Sequence, residues 1–353
     1  MLITILLTLF AFRKHLTDFT LYQYRHLLES LLQQGYQFLT FEQYLQAKND
    51  LPAEGDLQAK RSSNEVIFKQ SDLPAEGDLQ AKRSSNEVIF KQSDLPAEGD
   101  LPTEGDLQAK RSSNEVIFKQ SDLLAEGDLP SKFILLRHDV DLKAANSLAT
   151  AQIEHELGIC ASYYFRVVPQ SNQPDIIRAI ADLGHEIGYH YEDMAIMQGD
   201  TTKAYAHFQQ QLTYFRQFYP VRTICMHGAP TSQWDGKELW KHYNYRDLGI
   251  IGEPYFDVDF SKLFYLTDTG RCWDGYKVSV RDKIPVYQDE WNAQGLVYHT
   301  TNDIIHAAEQ GSLPSCIMIT THPQRWTDRP LAWLKELLVQ NAKNIIKRLF
   351  FVK

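Results

Sequence analysis

The sequence predicts an α/β protein built on a parallel sheet, open or closed into a barrel, and three observations carry that expectation. Short apolar runs alternate with amphipathic stretches that stop at glycine, the pattern of repeated β-α units. Residues 133–136 (FILL) are continuously apolar, as a strand buried on both faces requires. Four of the runs end in an acid or a histidine, at the position where parallel α/β barrels collect their chemistry.

Taken in order, residues 21–34 (LYQYRHLLESLLQQ) have helical spacing and stop at Gly35, before a short strand at 37–40. After the strand at 133–136, a helix over 144–157 stops at Gly158, and a strand covers 162–168. The alternation continues with a helix at 175–183, a strand at 186–190, a helix at 202–218 and a strand at 223–227. Short strands are expected around Ile250, at 264–268 and at 277–280, then a helix from Asp303, a strand at 317–321 and a terminal helix from Leu331.

Between the first strand and the second lies a tandem repeat. LPAEGDLQAKRSSNEVIFKQSD at 51–72 recurs letter for letter at 73–94; a third copy, broken by LPTEGD, ends at Asp122, and a fragment of a fourth ends at Pro130. Each copy offers only Val-Ile-Phe as a contiguous apolar patch (Val66-Ile67-Phe68 in the first), which cannot build a core and predicts disorder. The expected organisation is therefore residues 1–50 as first helix and strand of a catalytic domain, 51–129 as a disordered insertion, and 130–353 as the rest of that domain. Loop closure tolerates this, because growing a loop from about 5 to about 80 residues costs roughly 2.4 kcal/mol. An alternative makes the Val-Ile-Phe patches sticky strands of an assembly protein.

A formal charge of −9 with no long basic run argues against nucleic acid as partner. Residues 1–12 are mainly apolar but too short to span a bilayer, and their positive charge follows rather than precedes the apolar run, so no membrane span or export signal is expected. Cys160, Cys225, Cys272 and Cys316 are widely spaced, which argues against a thiolate zinc cluster and a disulfide framework and suggests a cytoplasmic protein.

The strand-end residues are Asp139 and Asp141 in FILLRHDVD, His190 in EIGYH, His227 in TICMH and His322 in IMITTH. Asp139 and Asp141, at i and i+2 of an extended chain, leave the same face about 7 Å apart. One carboxylate can then hold a metal while the other takes a proton from water; the competing reading of Asp141 is a cap for the helix that follows.

The segments LRHDVD, ASYYFR, LGHEIGYHYED, ICMHGAP and ITTHPQRW together resemble the polysaccharide deacetylase superfamily, carbohydrate esterase family four, also called the NodB-homology group, and more narrowly a bacterial branch with RHDVD and GHEIGYHYED signatures. The likeness covers about 12–47 and 130–353. It implies a distorted (β/α) barrel, usually of seven strands, that removes acetyl groups from N-acetylated sugars or related amides with one divalent metal. Carried over, Asp139 is the general base, Asp141 and His190 are metal ligands, and His322 is the general acid. Met194 stands where the family has its second metal-binding histidine, which leaves Glu192, Asp193 or the separate His227 to complete the site, with His227 favoured as a strand-end residue. His227-Gly228-Ala229-Pro230 is a loose counterpart of the third motif, and Asp268, Arg271 and Trp273 of an Asp-Trp support motif.

Two histidines and a carboxylate with open positions suit zinc, which lowers the pKa of bound water to about 7. A backbone N–H near Gly228 is the candidate partner for the developing oxyanion. Trp273 and Trp326 are candidate platforms for a sugar ring; Arg325, and less so Arg166, are candidates to hold a carboxylate of the site or substrate. Tyr163 and Tyr164 are read as packing, and His138 and His185 as structural. Because of Met194, the alternative to an enzyme is a degenerate member of the superfamily that binds glycan or metal without hydrolysis.

Overall fold

The computed structural model describes residues 18–50, 129–229, 231–273, 279 and 282–350. The repeats, residues 1–17 and most of the strand expected at 277–280 lie outside the described residues. Contacts separate residues 1–48 with 126–353 from residues 49–125 as two units, and the sheet lies in the first.

The order is α1 (Leu21–Gln33), β1 (Gln37–Leu39), α2 (Phe41–Asp50), β2 (Phe133–Val140), α3 (Ala144–Glu156), β3 (Ser162–Phe165), α4 (Pro174–Asp182), β4 (Glu186–Tyr191), α5 (Asp193–Ile196), α6 (Thr201–Phe215), β5 (Ile224–Met226), α7 (Pro254–Asp257), β6 (Phe264–Thr267), α8 (Pro285–Ala293), α9 (Thr301–Glu309), β7 (Cys316–Thr321) and α10 (Pro330–Phe350). The seven strands pair in parallel along the path β5-β4-β3-β2-β7-β6, with β1 beside the first half of β2. Parallel strands with helical crossovers form a curled half-barrel, an α/β fold compatible with a distorted (β/α) barrel.

β2 is the pivot. It pairs with β1 at Gln37↔Phe133, with β3 at Asp139↔Tyr164 and with β7 from Phe133↔Cys316 to His138↔Thr321. With neighbours on both edges and helices on its faces, all eight residues are buried, including Arg137, His138 and Asp139. The strand runs four residues beyond the apolar stretch that marks it in the sequence, because its partners rather than its hydropathy decide where it ends. Gly188 of β4 is required for a similar reason: a Cβ there would fall 2.3 Å from the Tyr164 ring, whose hydroxyl crosses the strand to meet Thr223 Oγ1 at 2.9 Å.

Local chemistry sets the helix ends. Thr20 caps α1 through the Gln23 N–H, and Gly35, at φ +80°, turns the chain into β1. A reciprocal Thr300–Asp303 capping box starts α9. Tyr24, Leu27, Leu28 and Leu31 line the buried face of α1, and each fully buried leucine contributes about 1.5–3 kcal/mol. α2, α5, α7 and α8 were not anticipated from the sequence. Around Ile250 there is no strand but an isolated bridge, Thr223↔Gly252, after 3-10 turns at Gly236–Lys241 and Tyr245–Leu248.

Strand alternation sends His138 to the face opposite Asp139. There His138 Nε2 lies 2.8 Å from Glu154 Oε1 and its Nδ1 2.6 Å from Thr321 Oγ1. Tyr163 donates to Glu154 Oε2 at 2.8 Å, Tyr24 also donates to Glu154, and His185 bonds the Ala151 carbonyl at 3.0 Å. This buried network ties α1, α3, β2, β3 and β7 together. Tyr163 and Tyr164 are wholly buried. No disulfide joins the four cysteines, and only Cys225 is fully buried. Among the described residues no helix is long and apolar enough to cross a membrane.

Candidate active site

The carboxyl ends of β2, β4, β5, β6 and β7 deliver Asp139 and Asp141, His190, His227, Asp268 and His322 to one end of the sheet. A cavity there is lined by Asp139, Asp141, His190, His227, Gly228 and His322, together with Arg325, Asp282 and Lys347.

Asp141 is the hub. Its Oδ1 lies 3.6 Å from His190 Nε2 and 3.3 Å from His227 Nε2, while its Oδ2 lies 3.9 Å from His322 Nε2 and accepts from Gln324 at 3.2 Å. Asp139 Oδ2 is 3.7 Å from His190 Nε2 and pairs with Arg137 at 3.0 Å. Burial acts to raise the pKa of Asp141, but His227, His322, His190 and Arg166 outweigh it and hold the carboxylate well below its usual range.

The histidines are oriented from behind. His190 Nδ1 donates to the Cys225 carbonyl at 2.9 Å, and burial, with His227 adding to it, pushes its pKa down to about 4. The ring is therefore neutral near pH 7, with Nε2 bare and turned to the cavity. His227 Nδ1 meets Glu192 Oε2 at 2.8 Å, which leaves Nε2 facing Asp141. Arg166 in turn grips both oxygens of Glu192, at 2.6 and 2.9 Å, and Glu192 is drawn down to about 2 against the effect of burial by His227 and Arg166. Such a carboxylate–histidine relay orients a metal-bound imidazole.

The distances from Asp141 Oδ1 to the two imidazole nitrogens are of the size found between the donors of a divalent metal. Bonds of about 2.0–2.1 Å in a tetrahedron space neighbouring donors about 3.3 Å apart, close to the separations around Asp141. Asp139 Oδ1 and Asp141 Oδ1 are also buried without hydrogen-bond partners among the described residues. The donor group among those residues whose ligand atoms all lie within 4.8 Å of one another is a different one, Asp139, His190 and Cys225. Burial raises the Cys225 thiol pKa well above its usual value, and Sγ faces the Met226 carbonyl at 3.8 Å, so the protonated thiol is the poorer ligand.

Several candidates sit elsewhere. Asp193 is wholly buried beneath the site, bound by Tyr189 at 2.9 Å and by His207, and burial raises its pKa; it does not reach the cavity. Glu192 stands behind His227 rather than beside Asp141. Met194 packs in the core on α5. Trp326 has no exposed face and donates Nε1 to Asp268 at 2.9 Å, and Trp273 is buried with Nε1 on Thr301, so neither offers a platform to a sugar. Arg271 bonds the backbone of Arg325 and Asp18. Arg325 holds Asp268 Oδ1 at 2.6 Å, while its side chain also walls the cavity.

Besides Lys347 of the last helix, sequence reasoning missed three residues. Arg137 is buried between Asp139 and Asp282, 3.7 Å from the latter. Asp282 accepts from Thr267 at 2.7 Å and from Tyr265 and Thr269; despite burial, Arg137 and His322 bring it down to about 2. Exposed Trp234 packs on Gly199 beside an open groove that includes Arg166 and His227. Only Arg137, inside RHDVD, carried a signal, since a charge in a strand buried on both faces needs a partner.

No protein-family model matches the chain, and no curated protein does. Among solved structures, a wild-type CE4 family pseudoenzyme from Bacillus anthracis aligns at 12% identity over 63% of this chain and 63% of its own length, with a TM-score of 0.35. A mutant of that pseudoenzyme with restored enzymatic activity aligns at 11% identity over 63% and 65%, with the same TM-score of 0.35. A variant of the peptidoglycan deacetylase PdaC from Bacillus subtilis aligns at 12% identity over 63% of this chain and all of its own, with a TM-score of 0.30. The chain thus spans less than two thirds of the first of these.

Proposed function

We propose that the protein is a metal-dependent hydrolase that removes an acetyl group from an N-acetylated sugar or related amide, as the polysaccharide deacetylase motifs imply. One observation carries the reading: Asp141, two imidazole Nε2 atoms and the pair Asp139 and His322 converge on one cavity, with a carboxylate or carbonyl behind each histidine. A protein that only binds has no use for both a base and an acid.

Asp141, His190 and His227 would hold the metal, and zinc suits this donor set. When bound, such an ion polarises the acyl oxygen and makes water a stronger acid. Asp139, held toward the cavity by Arg137, takes the proton of the attacking water. His322 donates from Nε2 to the leaving amine, and Asp268 on its Nδ1 favours the protonated ring. Gly228 lines the wall on which the acyl oxygen develops charge.

The test is metal content together with amine release from an N-acetylated sugar. Asp139→Asn and His322→Ala are each expected to lower turnover by about 10²- to 10⁴-fold while keeping the metal. Loss of metal from Asp139→Asn would make Asp139 a ligand instead. A metal-loaded protein that binds acetylated sugars and releases no amine would establish the binding-only reading.

A further inference from the structure

The last helix adds a feature that the hydrolytic reading does not use. Glu336, Gln340, Lys343 and Lys347 follow one another at spacings of four, three and four along α10, so they form one stripe. That stripe borders a groove shared with Asp141, His227 and Arg325, and Lys347 also lines the cavity that holds Asp139 and His322. Leu331, Leu334, Leu338, Ile345 and Leu349 of the same helix are exposed, and Ile346 joins the four polar side chains on the wall of the groove.

Glu336 is held by Lys143 at 2.8 Å. Lys343 and Lys347 have no carboxylate within ion-pair distance among the described residues, and the Arg325 guanidinium is engaged by Asp268. Two lysines with no carboxylate partner among the described residues therefore border the groove, and one of them also borders the cavity, in a chain whose formal charge is −9. The overall field repels anions, and only a local positive wall can seat one.

We propose that the substrate is an N-acylated sugar that also carries an anionic group, a carboxylate or a phosphate, seated between Lys347 and Lys343 while the acyl group faces Asp139 and His322. This rests on the deacetylase reading and narrows its substrate. Half-burial costs the Lys347 ammonium solvation, and its pKa is lowered by burial and by Arg325; a bound oxyanion compensates that cost, and a neutral sugar does not.

The experiment titrates the full-length protein calorimetrically with N-acetylglucosamine, N-acetylmuramic acid and N-acetylglucosamine 6-phosphate, at low and high salt. The wild-type protein is expected to bind at least one anionic sugar about 10-fold more tightly than the neutral one, with the preference shrinking in salt. The stronger anionic arm assigns carboxylate or phosphate. In Lys347→Met the preference falls toward one, whereas Lys347→Arg keeps most of it; circular dichroism checks that both fold. Equal affinity for all three sugars, or an equal loss for all three in Lys347→Met, overturns the proposal and makes Lys347 a counter-charge for Asp141 and Asp282. Amine release from the same sugars is scored separately. Anion-selective binding without amine release sinks the deacetylase reading alone, and amine release without anion preference sinks this one alone.

Discussion

The carboxylate of Asp268 grips His322 twice. Its Oδ1 accepts from the ring Nδ1 at 2.6 Å, and its two oxygens lie 3.1 and 3.0 Å from the His322 backbone N–H. Arg325 and Trp326 occupy the remaining lone pairs, so a carboxylate at the end of β6 fixes both the position and the tautomer of a histidine at the end of β7.

Asp268→Asn should therefore act through His322. Burial and Arg325 press the pKa of His322 down, Asp268 presses it up, and the net shift is upward. Without the Asp268 charge that pKa falls, so the alkaline limb of the rate profile moves to lower pH, and turnover drops by about 10²- to 10⁴-fold. Rate profiles of the two proteins check this, and an unmoved alkaline limb would remove His322 from the acid role.

Glu192→Gln is expected to weaken metal affinity by about 10- to 100-fold, because it loosens His227, while His227→Ala weakens it further. Asp193→Asn should leave the affinity unchanged, since Asp193 lies beneath the site among Tyr189 and His207. Competition with a chromogenic chelator measures all three.

Replacing Glu154 by Ala leaves His138 without its buried partner and should cost about 3–5 kcal/mol of stability. Burial raises the Glu154 pKa, but His138 and His185 reverse this and hold it below the usual value. A depressed carboxylate pKa contributes stability above the unfolded value of about 4.5, and that contribution is lost as pH falls through the folded value. In urea melts the gap between wild-type and variant should be widest at pH 7 and should narrow as the pH is lowered below about 4.5.

Deletion of residues 51–129 should leave the rest of the chain folded, with a cooperative melt near that of the intact protein, because the repeats offer no core-forming residues. The shorter loop would stabilise the domain by at most about 2.4 kcal/mol. Thermal melts monitored by circular dichroism decide, and a deletion that failed to fold would make the repeats part of the domain.

Much of the architecture was legible because it is local. Period-two and period-3.6 patterns, glycine stops and capping residues act within a few positions, so β2, β4, β7, α1, α3 and α6 can be read from the chain itself. The ends of β2, β4, β5 and β7 could likewise be read as places where Asp139, Asp141, His190, His227 and His322 emerge.

Partnership was not legible, because it depends on which strands become neighbours. The β4-β5 pairing brings His227 beside Glu192 and leaves Asp193 below the site. The β6-β7 pairing delivers Asp268 to His322 and thereby turns Trp326 from a candidate sugar platform into a buried donor. Arg137, Asp282 and Lys347 come from a strand interior, a loop and the last helix, and no spacing in the sequence links them. By itself the sequence determined which side chains stand at the strand ends, since backbone periodicity is a short-range property; only the tertiary structure decided which carboxylate faces which histidine, since that is set by contacts between residues far apart in the chain.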